Sequence, residues 1–162
     1  MNMYITYGTK DYLQQKMPPD SLLLEGDTNA AVIVETNGEN PFQEHHSYEI
    51  INKRGDLEAA GFVVMNHIPV SEEGRSRFEE RFQNRAGLVD QEPGFHAIRI
   101  LRPLTNDPYI VMTFWESQAS FVSWQQSKAY QEAHKDRGTS NGLPQNLFTG
   151  PSFVKEYAVE RT

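Results

Sequence analysis

Residues 62–68 read FVVMNHI, a run of β-branched and apolar residues that predicts a buried strand. Ser71 follows as a candidate N-cap, since its hydroxyl can accept a hydrogen bond from the first turn of a helix. Phe78 and Phe82 then lie four residues apart on one apolar stripe, and Gly87 fits the C-terminal cap. This segment therefore predicts a strand followed by an amphipathic helix.

The chain after this helix continues with further strand and helix signals. Strand propensity, turn residues and capping predict strands at 95–101, 109–114 and 153–159, a second helix that begins after Ser117 and a loop at 138–151. The resulting order is β-α-β-β-α-β, which is the ferredoxin-like arrangement.

The first part of the chain has a similar pattern. It predicts strands at 3–7, 22–24 and 31–35 and helices at 11–16 and 41–53, in the order β-α-β-β-α. Two local similarities support an internal duplication: TN precedes both AAVIVET and DPYIVMTFW, and FQEHHSYEIINKRG resembles FVSWQQSKAYQEAHKDRG. Chance similarity between two helix-hairpin patterns is the alternative interpretation.

This duplication predicts an α+β protein of two fused ferredoxin-like (split βαβ) units. Their antiparallel sheets would pack face to face as an α+β barrel within one chain. Residues 1–58 would form an incomplete N-terminal half (βαββα), and residues 59–162 a complete βαββαβ domain that carries the functional site. Because the first half covers the open sheet of the second, a monomer is expected.

Composition excludes several functions. The 162 residues carry a formal net charge of −7, which argues against nucleic acid because phosphate binding requires a basic surface. The absence of cysteine removes disulfides, thiolate metal sites and a cysteine nucleophile. The N-terminus lacks the layout of a secretion signal, and no apolar run reaches membrane-spanning length. The sequence thus predicts a cytoplasmic protein without a membrane partner.

Asn66 is the first candidate site residue. It shares a strand face with Phe62, Val64 and Ile68, although asparagine is disfavoured in strands and a buried amide needs partners. Its side chain either bonds to backbone near the end of the strand or points as a hydrogen-bond donor into a pocket.

Trp124 and His134 are ten residues apart in a predicted helical segment, 121–136. In one straight helix they would lie about 80° apart around the axis and about 15 Å apart along it, too far to meet one small ligand. In that case Trp124 is a core residue and His134 a residue near a helix C-terminus. Ser127 can cap a new helix, and a break there would let both side chains converge on a cavity large enough for a flat macrocycle.

Three stretches, FVVMNHIPV, RFQNRAGLVDQEPGF and YIVMTFWESQASFVSWQQSKAYQEAHK, resemble the antibiotic-biosynthesis monooxygenase superfamily. Within it, the chain resembles the haem-degrading monooxygenases of the IsdG and HmoB type. Asn66, Trp124 and His134 occupy the three positions of that family's haem site. The extended N-terminal half is similar to the HmoB branch, which also includes the signalling protein TRAP.

The resemblance implies that haem binds non-covalently and is opened oxidatively with O2 and an external electron donor, a reductase or a small reductant, with release of iron. His134 would be the axial ligand of the iron, and Asn66 would donate a hydrogen bond to the oxygen that reacts on the opposite face. Trp124 would press on the porphyrin and distort it. The first half has no equivalents of these residues, so one haem per chain is expected.

Two other functions stay open. One is a TRAP-like regulatory or haem-holding protein without turnover. The other is an oxygenase that acts without a cofactor on aromatic substrates, as other members of the superfamily do.

Overall fold

A computed structural model of the chain describes residues 1–43, 46–84, 92–126 and 147–160, with the side chains of residues 82–84 left out. Its strands are β1 (Asn2–Gly8), β2 (Leu22–Glu25), β3 (Ala30–Thr36), β4 (Ser47–Gly55), β5 (Phe62–Ile68), β6 (Phe95–Pro103), β7 (Tyr109–Trp115) and β8 (Phe153–Glu160). Its helices are α1 (Lys10–Gln14), α2 (Arg75–Asn84) and α3 (Gln118–Gln125). In the described ranges, no helix has the length and apolar character needed to span a membrane.

The eight strands form one closed antiparallel barrel in the order β1-β3-β2-β8-β5-β7-β6-β4. Each half contributes four adjacent strands in the same arrangement. The order is β4-β1-β3-β2 in the first half and β8-β5-β7-β6 in the second half. The halves join where β2 pairs with β8 and where β4 pairs with β6. The predicted fold class, two fused ferredoxin-like units in one α+β barrel, is confirmed, while a division at residues 58/59 stays a prediction.

The barrel interior is the main core of the protein. Alternate residues of each strand point inward, as in any closed sheet, and on β5 these include Val63 and Met65, neither of which is exposed. Arg99 of β6 also points inward and is 1% exposed. Its guanidinium donates to Glu35 at 2.5 Å and to the carbonyl oxygens of Arg54 and Gly55 at 2.7 and 3.0 Å. These partners satisfy the buried charge, which would otherwise be strongly destabilising.

Two apolar clusters cover the outer face of the second half. The α2 cluster is built on Ile68, Phe78 and Tyr109, with Ile51, Val70, Val111 and Phe148 packed against it. The α3 cluster is built on Phe62, Val64, Trp115 and Phe121, with Phe95 and Trp124 packed against it. Helices α2 and α3 are therefore attached to different parts of one sheet face, and Asn66 lies on β5 between the strand residues of the two clusters.

Both predicted N-caps are used, but in different ways. Ser117 caps α3 through a hydrogen bond from the Ser120 amide at 3.3 Å, as predicted. Ser71 accepts from the Gly74 amide at 3.1 Å and so closes a turn that precedes α2, which begins only at Arg75.

The helix predicted for residues 41–53 is wrong, because β4 occupies Ser47–Gly55. The local pattern is ambiguous, since Tyr48 and Ile50 alternate as in a strand, whereas Ile51 beside them is also apolar and lies at a bulge between Ile50 and Asn52. Backbone pairing with β1 and β6 decides in favour of the strand. Asn40, which could have capped a helix, instead bonds the Phe42 amide at 2.8 Å in a tight local turn.

Because β4 is a strand, the local sequence similarity taken as support for a duplication has to be interpreted differently. The first half is β-α-β-β-β, and among its described residues no helix lies between β3 and β4. In the barrel order β4 corresponds to β8, not to α3. The similarity between FQEHHSYEIINKRG and FVSWQQSKAYQEAHKDRG therefore does not join equivalent elements, although the halves share one strand order.

Candidate functional site

Asn66 shares a face of β5 with Phe62, Val64 and Ile68, as predicted, and this face is the outer one. Its neighbours on this face, Val64 and Ile68, are 5% and 8% exposed and belong to different apolar clusters. The Oδ1 atom of Asn66 is buried and has no hydrogen-bond partner among the residues that the structure describes. A buried amide left in this state costs about 1–3 kcal/mol, so the position calls for a functional explanation.

The strands on either side of Asn66 present apolar residues. In the sheet register, Val111 of β7 and Val154 of β8 are directly opposite Asn66 and share its face. Val111 packs against the α2 cluster, whereas Val154 is 52% exposed. The site therefore combines an unpaired buried polar atom with an exposed apolar surface on the adjacent strand.

Trp124 forms the aromatic side of the site. It is half-buried on α3, and its ring centroid lies 5.4 Å from that of Trp115 and 6.2 Å from that of Phe121. Trp115 is fully buried and is fixed by a 3.0 Å hydrogen bond from its Nε1 to Thr113. Trp124 thus rests on a rigid aromatic base.

A charged network fixes α2 on the opposite side. Glu79 of α2 accepts two hydrogen bonds from Arg102 of β6, at 2.9 and 2.5 Å, and a third from the hydroxyl of Tyr109. Arg102 also donates to Glu49 of β4 at 2.8 Å. Hydrogen bonding from Arg102 is the main reason that the pKa of Glu79 lies below its usual value, and the Tyr109 hydroxyl adds to it. Burial and Glu79 raise the pKa of Tyr109, which keeps this phenol neutral.

His134 and Ser127 lie outside the described residues. Helix α3 ends at Gln125 with Gln126 as its C-cap, two residues before the proposed break at Ser127. The structure thus places Asn66 and Trp124 on one face of the second half, and His134 stays a prediction. Within the described ranges, no group of three histidine, cysteine or acidic side chains could hold a metal ion.

His67, the residue after Asn66, points to the other side of the sheet. It is 7% exposed at one end of the barrel, and its ring stacks on Phe153 with centroids 4.6 Å apart. Its Nε2 is buried without a partner in the described structure. Burial, with a smaller contribution from Lys155, lowers the pKa of His67 to about 4, so this side chain is neutral at pH 7.

Sequence reasoning missed two residues of the site, Val154 and Trp115. Val154 becomes visible only through the pairing of β5 with β8, two segments far apart in the chain. Trp115 follows directly after the predicted strand 109–114 and two residues before the capping signal at Ser117. This closeness of a strand end to a helix start is the signal that could have placed Trp115 beneath α3.

Comparison with known proteins gives matches that include this site. A family model described as antibiotic biosynthesis monooxygenase matches residues 61–136. A "Heme oxygenase (staphylobilin-producing)" of Staphylococcus haemolyticus is 34% identical over 79 residues, which cover 47% of this chain and 75% of that protein. A "Heme-degrading monooxygenase" of Listeria monocytogenes is 25% identical over 159 residues, which cover 93% of this chain and 95% of that protein.

The fold also occurs in solved structures. One described as a major regulator of staphylococcal pathogenesis aligns with a TM-score of 0.81 and 22% identity, covering 97% of this chain and 98% of that chain. This likeness establishes the shared fold over both halves. The matched family model and the relative that is 34% identical, 75% of which is covered, lead to one further conclusion: the chain belongs to the antibiotic biosynthesis monooxygenase family.

Proposed function

We propose that this protein is a haem-degrading monooxygenase that binds haem non-covalently and opens the porphyrin ring with O2 and reductant, releasing iron. The observation that carries the proposal is the position of Asn66, whose buried oxygen lacks a partner beside the exposed side chain of Val154. The proposal is further supported by two relatives named as haem-degrading enzymes, one matched over 93% of this chain and the other over 47% of it.

The residues present fit a flat, mostly apolar substrate. Val111 and Val154 provide an apolar floor on either side of Asn66, and Trp124 with Trp115 beneath it provides an aromatic wall. Covering such a surface with a macrocycle is favourable by roughly 25 cal/mol per Å² of apolar surface removed from water. A single amide in this surface then fixes where a polar atom of the complex can lie.

In this proposal Asn66 is a preorganised hydrogen-bond donor. The two ends of a side-chain amide are nearly isosteric, so rotation exchanges an acceptor for a donor at the same place. The Nδ2 group of Asn66 would then point toward the reacting oxygen, where negative charge develops. Because Asn66 lies on β5 between the strand residues of two packed clusters, its backbone is fixed and little reorganisation is needed at the moment of reaction.

Trp124 would act sterically. Its indole packs on Trp115, which is fully buried and hydrogen-bonded, so the contact would resist displacement of Trp124 by a bound macrocycle. The macrocycle would then be the partner that bends. This distortion would select which carbon of the ring is attacked.

His134 is proposed as the axial ligand of the haem iron. The family resemblance carries this assignment, and neutral imidazole is a strong haem ligand in a chain that has no cysteine. When bound, haem supplies the iron centre at which O2 and electrons meet. An external reductase or a small reductant would deliver the electrons.

We also propose that the protein acts as a monomer. In the closed barrel every strand has two neighbours, and both edge strands of the second half pair with strands of the first half. Exposed strand edges, which commonly drive association, are thereby used within the chain. Light scattering on the purified protein should give one mass close to 18.6 kDa.

The test is a haemin titration followed by reductant in air. We expect a Soret band that forms at one haem per chain and decays after reductant is added, with free iron and a ring-opened tetrapyrrole detected by mass spectrometry. A Soret band that survives reductant and O2 would favour a haem-holding protein without turnover. Absence of haem binding would favour an oxygenase that acts on another aromatic substrate.

A further inference from the structure

We propose that Glu156 of β8 sets the orientation of haem in the site by keeping the two propionates away from this strand. The inference rests on the proposed function, because it assigns a specificity role within the same site. Glu156 is not among the site residues that the family resemblance implies.

The register of β8 fixes the position of Glu156. Tyr157 points into the barrel and is 3% exposed, so Glu156 and Val154 both point to the outer face. Glu156 is directly opposite Val64 of the α3 cluster, just as Val154 is directly opposite Asn66. Glu156 is exposed, two residues from Val154, and therefore lies at the open side of the site.

The charges around this face are unevenly distributed. Glu156 places a negative charge along β8, at one side of Asn66. On the other side, where β7 and β6 lie, the cations Arg75 and Arg102 are close to the carboxylate of Glu79, so the charges there largely offset one another. A bound molecule with two carboxylates on one edge would therefore turn that edge away from β8.

The size of the expected effect follows from Coulomb's law. Two like charges about 4 Å apart in water repel enough to change an orientation equilibrium by roughly fivefold. Because Glu156 is exposed, this water-like value applies rather than the larger one for a protein interior. One orientation of haem should thus dominate in the parent protein, and a charge change at residue 156 should shift the ratio.

The experiment compares the parent with Glu156→Gln and Glu156→Lys. Proton NMR of the ferric haem complex resolves each haem orientation as its own set of shifted methyl resonances, without turnover. We expect the population of the minor orientation, relative to the major one, to rise about fivefold in Glu156→Gln and by a larger factor in Glu156→Lys. The ratio of ring-opened isomers after reductant is added should shift in the same direction. Glu58→Gln and Glu58→Lys serve as matched controls, since Glu58 is also exposed but lies in the turn between β4 and β5.

Equal orientation ratios in the parent and both Glu156 variants would overturn this inference while leaving the proposed function intact. The same shift in the Glu58 variants would also overturn it, because the effect would then come from net charge alone. Failure of the parent to bind haem would remove both the inference and the proposed function. Residue 156 is exposed, so neither substitution is expected to prevent folding, and circular dichroism checks this directly.

Discussion

Asn66 and Val154 are directly opposite each other on β5 and β8, the first with a buried, unpartnered oxygen and the second with an exposed apolar side chain. Each is unfavourable in the free protein, since one lacks a hydrogen bond and the other leaves apolar surface in water. A bound molecule with an apolar face and one polar atom would relieve both. Their adjacency is therefore the structural basis of the first prediction.

Replacing Asn66 with leucine should separate stability from activity. Removal of an unpartnered buried amide should leave the free energy of unfolding unchanged or raise it, because leucine fits an apolar site of similar size. Loss of a preorganised donor should lower kcat by about 100-fold or more. Haemin affinity from Soret titration should change little, and thermal melting gives the stability.

Asn106→Leu is a suitable control, since Asn106 is exposed in the turn between β6 and β7. It should keep the activity of the parent protein. Full activity of Asn66→Leu would show that this amide has no catalytic role.

Trp124→Phe should keep haemin binding but change the reaction. Phenylalanine preserves most of the aromatic contact with Trp115 and Phe121, so folding should be retained. The smaller ring presses less on the macrocycle, so we expect slower decay of the Soret band and a changed ratio of cleavage isomers. Resonance Raman spectra of bound haem report the planarity of the porphyrin. An unchanged isomer ratio together with an unchanged Raman spectrum would argue against a distorting role.

Tyr109→Phe should loosen the attachment of α2. The variant removes one hydrogen bond to Glu79, whose carboxylate is partly buried, and should lower the free energy of unfolding by about 1–2 kcal/mol. Urea denaturation measures this change. Tyr12→Phe is the matched control, because Tyr12 is 55% exposed on α1 and its loss of a hydroxyl should have almost no effect. Equal stabilities of the two variants would contradict the network described for Glu79.

His67 should make the protein less stable in acid. The pKa of His67 is lowered to about 4 in the folded state, chiefly by burial, while the unfolded value is near 6.5. The unfolded chain therefore binds a proton that the folded chain excludes, and stability falls as pH drops from about 6.5 toward 4. This linkage is worth on the order of 3 kcal/mol.

His67→Phe should reduce this dependence, because phenylalanine can keep the stacking on Phe153 without titrating. Urea denaturation of both proteins at several pH values between 4 and 7 tests the expectation. A variant that loses stability as steeply as the parent over this range would assign the effect to other groups.

Elements with one dominant local pattern could be predicted from sequence. The strand of residues 62–68 and the helix after Ser117 are examples, because β-branched runs and capping residues act within a few positions. Residues 47–55 could not be predicted in this way. Two apolar residues, Ile50 and Ile51, are adjacent at a bulge and obscure the alternation, and the strand forms because β1 and β6 offer backbone partners from distant parts of the chain.

The residues of the site also divide into those that the sequence indicates and those that only the structure reveals. Asn66 stood out because an amide is unusual in an apolar strand. Trp124, one helical turn from Phe121, is a core residue by its spacing alone, and the family resemblance is what pointed to it as a site residue. Val154 and Glu156 gave no local signal, since their importance comes only from the register of β8 against β5. Residues that act through such pairing require the structure.

The two seams of the barrel also constrain how the protein can be assembled. Strand β2 has no outer neighbour until β8 arrives, and β4 none until β6 arrives, so each half depends on the other for closure. During synthesis from the N-terminus, the first four strands must wait for more than a hundred residues before β2 is covered by β8. Formation of the β2–β8 seam is thus a late step, and the exposed edge of β2 is the point at which a nascent chain is most open to chaperones or to mispairing with another copy.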